Sequence, residues 1–137
     1  VNVMTDREKL RECFYLHLEI AQLRQQINDL KEMATSIRST TDYSSPAVKH
    51  SAPLNGPFEN TIIKCISYEK KLNKRIDMLL KKQIDAEKII DRIDNDLARI
   101  IFRYRYINGF EFKDIADRIH YSSSHVYYLH EKYLQLL

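Results

Sequence analysis

Five histidines and two cysteines are the side chains of this 137-residue chain best able to hold a metal or attack a substrate. Their spacing assembles neither chemistry. His125 and His130 are five residues apart, which on a helix turning roughly 100° per residue leaves them about 140° apart around the axis. The histidines form no ligand pattern with cysteines or paired carboxylates, and Cys13 and Cys65 lack the closely spaced companions that a zinc site or a disulfide framework requires. There is no glycine-rich phosphate loop and no nucleophile elbow. The expectation is a protein that is not an enzyme, with no cofactor and no metal.

Hydroxyl, imidazole and basic side chains gather instead between Phe112 and Gln135. Two short helices that pack at a steep angle need a small residue where their backbones meet and apolar residues pointing into the wedge. Ala116 is that small residue; Ile115 and Ile119 fill the wedge from the first helix, Val126 and Leu129 from the second, and Tyr121 sits in the turn. Ser122 or Ser123 caps the second helix. His120 stands where such turns commonly carry glycine, which predicts an altered or longer turn. With Val126, Leu129 and Tyr133 inward, Ser124, Tyr127, Tyr128, Glu131 and Gln135 face outward, the face that a recognition helix offers to base edges. The expected DNA-binding set is therefore Ser123, Ser124, Tyr127, Tyr128 and Glu131, with Lys113, Arg118, Arg103, Arg105 and Lys132 near phosphates.

The segment Arg103-Tyr104-Arg105-Tyr106-Ile107-Asn108-Gly109, followed by Asp114-Ile115-Ala116 and by Tyr121 to His130, resembles the region 4-like helix-turn-helix of sigma factors. In architecture the whole chain resembles small phage and prophage late transcriptional regulators of the ArpU and RinA type, although the specific residues lie in about the last 40. That resemblance implies a sequence-specific regulator that activates phage late genes in the bacterial host. Relatives often carry arginine on the recognition helix, where Ser124 and Tyr128 are uncharged here.

Long helices must carry this module. Two glycines and three prolines punctuate a chain otherwise rich in helix formers, so the expected fold is all-α. Thr5 three residues before Glu8 forms a capping box that starts the first helix. Cys13, Leu16, Ile20, Leu23, Ile27, Leu30, Ala34 and Ile37 then alternate steps of three and four, the rhythm of a coiled-coil seam. A second seam runs through Ile62, Cys65, Glu69, Leu72, Ile76, Leu79, Gln83, Ala86, Ile90 and Ile93, with Glu69 and Gln83 setting register or oligomer state. The two zip into an antiparallel hairpin or coiled coil, which puts Cys13 and Cys65 near opposite ends as separate buried thiols. Ile63, Ile66, Leu80, Ile84 and Ile89 widen the apolar face, as a homodimeric four-helix bundle or higher homo-oligomer would require. Ser39 to Pro57, with Pro46 and Pro53, reads as a flexible loop. The expected division is 1–93 for oligomerisation helices, with the loop at about 39–57, and 94–137 for the helix-turn-helix domain. Asp94-Asn95-Asp96 caps a short helix carrying Leu97, Ile100, Ile101 and Tyr104, and Gly109 closes it.

The net charge of +3 is compatible with double-stranded DNA as partner without arguing for it. The basic surplus lies in residues 58–93, whereas 94–137 balances six basic against six acidic side chains. That balance motivates the alternative of a protein-binding adaptor acting on RNA polymerase or a host regulator; a DNA-packaging recognition subunit is a third reading. No apolar run reaches the roughly 18 residues of a membrane span and no signal pattern opens the chain, so the expected location is cytoplasmic.

Overall fold

The computed structural model describes residues 3–39 and 56–137, and is all-helical there. Helix α1 spans Asp6–Ser39, α2 Pro57–Asp91, α3 Asp96–Phe102, α4 Phe112–Ile119 and α5 Ser123–Gln135; a π turn, Arg103–Ile107, follows α3 directly. Between α1 and α2 the expected loop lies outside the described residues, apart from its ends. Pro57 occupies the first position of α2, where its fixed φ suits the helix and its missing N–H costs nothing.

The start of α1 is the capping box that Thr5 and Glu8 predict. The Glu8 amide donates to Thr5 Oγ1 at 3.2 Å and the Thr5 amide to Glu8 Oε2 at 3.1 Å. Asn95 is the cap of α3, its side chain accepting from the Ala98 amide at 2.9 Å, so the middle of the three candidate residues does the work.

The chain divides into two compact units, one made of Val1–Glu19 with Arg75–Leu137, the other Ile20–Lys74. The boundary expected at 93/94 falls inside the first of these, because both long helices grip the C-terminal module. His17 of α1 donates from Nε2 to the Tyr106 carbonyl at 3.1 Å, and Gln83 of α2 donates to the Ile107 carbonyl at 2.9 Å. Gln83 thus satisfies a carbonyl at the end of the π turn, a role its seam position does not reveal.

Within this first unit α1 and α2 run antiparallel. Asp6 pairs with Arg92, Glu12 with Lys82 and Glu19 with Arg75, so partners descend along α2 as they ascend along α1. Leu10, Cys13 and Leu16 of α1 are buried, as are Leu79, Ala86, Ile90 and Ile93 of α2. Each fully buried aliphatic side chain contributes roughly 1.5–3 kcal/mol relative to exposure. Ile89 is buried too, so it serves this core and not a further neighbour, whereas Leu80 and Ile84 stand exposed. Burial pushes the Cys13 thiol up to about 11, which keeps it protonated and unreactive at neutral pH.

In the second unit Ile20, Leu23, Ile27, Ala34 and Cys65 are buried. Glu69 is exposed and lies 3.8 Å from Lys31, so it ends in a surface ion pair across an antiparallel helix pair. Ile63 and Ile66 are exposed.

Steps of three and four residues from Ile101 and Phe102 reach Arg105 and Tyr106 alike. In the π turn, closed by the Asn108 amide donating to the Arg103 carbonyl at 3.1 Å, Tyr106 is buried and Arg105 half-buried. Ala98, Ile101, Phe102 and Tyr106 are buried; Ile100, expected inward, is exposed.

Candidate nucleic-acid interface

Helices α4 and α5 pack around Ile115, Ala116 and Val126, with Ile101 of α3 beneath and Ile119 and Leu129 at the margin. Every residue expected in the wedge is there. His120 adopts φ 61 and ψ 39, the left-handed conformation that glycine commonly supplies, and the turn keeps its ordinary length. Histidine is among the few residues enriched in this region outside glycine. The Tyr121 amide donates to the Ala116 carbonyl at 3.1 Å, and Ser122 then caps α5 by accepting from the His125 amide at 3.2 Å. Ser123 is left outside the cap, in the first turn of α5.

The outward face of α5 carries the expected side chains. Ser123, Ser124, Tyr127, Tyr128, Lys132 and Gln135 are exposed. Tyr127 sets its ring edge against Phe112 at 5.4 Å, which fixes the ring and leaves the hydroxyl at the surface. Tyr128 belongs to a column that sequence reasoning did not find: Tyr121 stacks on His125 at 5.4 Å, and His125 lies 6.5 Å from Tyr128. His125 sits one helical turn before the inward-facing Leu129, so its spacing points it inward, whereas in the first turn of α5 it is exposed. Among the described residues, no hydrogen bond to another residue occupies the hydroxyls of Ser123, Ser124, Tyr127 or Tyr128.

The other candidates separate. Lys113 is exposed beside Asp114 and Asp117. Arg118 is exposed, with its guanidinium 4.3 Å above the Phe110 ring. Arg103 is exposed but ion-paired with Asp91 at 2.6 Å. Lys132 rests 5.6 Å from the Tyr133 ring centroid. Glu131 is half-buried and accepts from His130 Nδ1 at 3.2 Å, so it is engaged within the fold. Arg105 does not join this face. Its guanidinium is held between the rings of Phe14, 3.6 Å away, and Phe112, 4.1 Å away, and donates to the Phe110 carbonyl at 3.2 Å. Burial holds its pKa below the ordinary arginine value. The Phe14 and Phe112 rings and the Phe110 carbonyl that hold it are the physical reason.

Beneath α5 lies a buried polar pair that the sequence did not disclose. His130 is stacked 4.9 Å from Phe102 and set against Phe112 at 4.8 Å, and its Nε2 lies 2.6 Å from the Tyr106 hydroxyl. Because Nδ1 donates to the Glu131 carboxylate, Nε2 is the acceptor and Tyr106 the donor. Burial lowers the His130 pKa, opposed in part by Glu131, and burial pushes Tyr106 up to about 12. Both rings are neutral at neutral pH, and the pair joins α5 to the π turn. Among the described residues no group of three or more His, Cys, Asp or Glu is placed to hold a metal ion, and no helix is long and apolar enough to cross a membrane.

No curated protein and no solved structure matches the chain. The family model described as a protein of unknown function, DUF1492, matches residues 58–137, which span α2 through α5 and therefore the whole candidate interface. The chain belongs to the DUF1492 family.

Proposed function

We propose that this protein binds double-stranded DNA through the first two turns of α5 and acts as a transcriptional regulator, the late-gene activator of phage or prophage that the sequence resemblance implies, in the cytoplasm of the bacterial host. The observation that carries the reading is the α4–turn–α5 unit with Ser123, Ser124, Tyr127 and Tyr128 exposed and free of internal hydrogen bonds at the N-terminal end of α5. Hydroxyls there serve base edges and phosphates alike, and the positive end of the helix dipole adds to phosphate attraction. Lys113, Arg118, Lys132 and Arg103 supply the phosphate contacts; Arg105 is left out because it is held between Phe14 and Phe112 and does not join the α5 face, and Glu131 because it accepts from His130. Leu80 and Ile84, exposed on α2, support self-association, and two copies would read a two-fold-related site.

The test is fluorescence anisotropy on protein whose mass has been fixed by light scattering, with DNA from the gene's own neighbourhood against scrambled DNA across a salt series. Four phosphate contacts predict a log–log salt slope of about −3 to −4. Replacing Ser124 and Tyr128 by alanine should weaken the native fragment about tenfold or more, with helical content unchanged by circular dichroism. Undiminished binding by the double variant would refute the site assignment.

A second reading has one observation in its favour. Asp114 and Asp117 are exposed on α4 beside the basic residues, a charge balance that suits a protein partner such as RNA polymerase better than a phosphate backbone. Binding to DNA with no salt slope and no sequence preference would move the assignment there.

A further inference from the structure

In the first unit, the opening turns of α1, the π turn and the end of α5 line a half-open cavity of about 260 Å³. Arg7, Arg11 and Arg105 line it, with Phe14, Tyr15 and Tyr106 as aromatic walls and Leu134 at the rim. Arg75, Lys82, Arg92, Arg99 and Arg103 each hold a carboxylate. Among the described residues, none of the three arginines in this cavity does.

Arg7 and Arg11 lie one helical turn apart, where like charges repel, and near the positive end of the α1 dipole, where cations are disfavoured. The carboxylates of that turn are occupied elsewhere, Asp6 by Arg92 and Glu8 by the Thr5 amide. Glu111 and Glu131 act on this corner only through space, on Arg105 and Tyr106 respectively. Two of the three guanidiniums are also held in place. Arg7 donates from Nε to the Leu134 carbonyl at 3.1 Å, and the Phe14 and Phe112 rings hold both faces of Arg105, which leaves its edge for a ligand. A preformed fork of this kind gives bidentate contacts to phosphate with little ordering cost.

We propose that this cavity is a binding site for a nucleoside phosphate, with the phosphate held by Arg7, Arg11 and Arg105 and the base laid against Tyr15. The volume, a little below the roughly 300 Å³ at which drug-sized pockets begin, suits one nucleotide and not a polymer. Tyr15 is exposed and its ring centroid lies 6.4 Å from that of Phe14, so it offers an uncovered aromatic surface next to the arginines. The site shares no residue with the DNA-binding reading, which stands or falls separately.

The test is isothermal titration calorimetry on the full chain with adenosine monophosphate, adenosine triphosphate, adenosine and inorganic phosphate. The proposal expects saturable binding of the two nucleotides, tighter than phosphate by about tenfold or more and with adenosine undetectable. Arg11→Ala should weaken nucleotide binding by about tenfold or more, Arg11→Lys by less, and Tyr15→Ala by severalfold. Tyr128→Ala, on the α5 face, should leave it unchanged. Absence of nucleotide binding, equal affinity for inorganic phosphate, or binding undiminished in the folded Arg11→Ala variant would overturn it. Loss of duplex binding in Arg11→Ala without any nucleotide binding would assign the arginines to DNA instead, and would equally overturn it.

Discussion

Replacement of Gly109 by alanine tests whether the C-terminal module is seated on α1 as described. Gly109 has φ +74, and an added Cβ would lie 2.5 Å from His17 Cγ and 2.6 Å from His17 Cβ. The left-handed conformation costs an alanine roughly 1–2 kcal/mol. Rotating the His17 ring cannot relieve a collision with its own Cβ, so the α1 backbone must move, an overpacking cost of roughly 1–3 kcal/mol. The hydrogen bond from His17 to the Tyr106 carbonyl is lost with that movement, removing roughly 0.5–1.5 kcal/mol more. The total is about 4 kcal/mol, read by urea denaturation followed through tyrosine fluorescence, which is suitable because the chain has nine tyrosines and no tryptophan. The mechanism has a sharper signature than the magnitude. In a His17→Gly background the obstructing atoms are gone and the hydrogen bond is already absent, so Gly109→Ala should then cost only the conformational strain, about 1–2 kcal/mol. Additive losses across the double-mutant cycle, or a loss under about 1 kcal/mol in the native background, would refute the packing argument.

The buried imidazole of His130, with its pKa lowered by burial from the ordinary 6.5, binds fewer protons folded than unfolded. Its contribution is therefore present above pH 6.5 and declines as pH falls from there toward the folded value; His17, lowered also by burial, acts with the same sign. Thermal melts between about pH 5 and pH 7.5 should show stability rising with pH, with a shallower slope for His130→Gln; an unchanged slope in that variant would remove His130 as a cause. Arg105→Lys substitutes a compact ammonium for a plane held between two rings, and should destabilise the fold by roughly 1–2 kcal/mol, measured by the same melts at neutral pH. Stability within error of the native protein would show that the two ring contacts do not select a guanidinium.

What the sequence made legible were features whose signal is local. The Thr5–Glu8 box, the Asn95 cap, the Gly109 stop and the Ala116 wedge each depend on residues within a few positions of one another, and each stands where its pattern places it. The long seams were legible for a related reason: repetition over many turns averages out single exceptions such as Glu69. Features that depend on which of two adjacent residues is buried were not. Tyr106 takes the buried position and Arg105 the half-buried one beside it, a placement with two consequences at once. It withdraws an arginine expected at phosphate, and it delivers a tyrosine hydroxyl to His130 beneath α5. An aromatic-basic string such as Arg103-Tyr104-Arg105-Tyr106 reads the same to periodicity in either register, because arginine stems and tyrosine rings both tolerate burial against aromatic neighbours. Only the partners decide it, and those come from distant parts of the chain: Phe14 from α1, Phe112 from α4 and His130 from α5. The same dependence accounts for the boundary at 93/94. A seam predicts that two helices pair, but not that their ends will use His17 and Gln83 to hold the carbonyls of a turn that follows, and it is those two hydrogen bonds that bring the first residues of α1 into one compact unit with the interface.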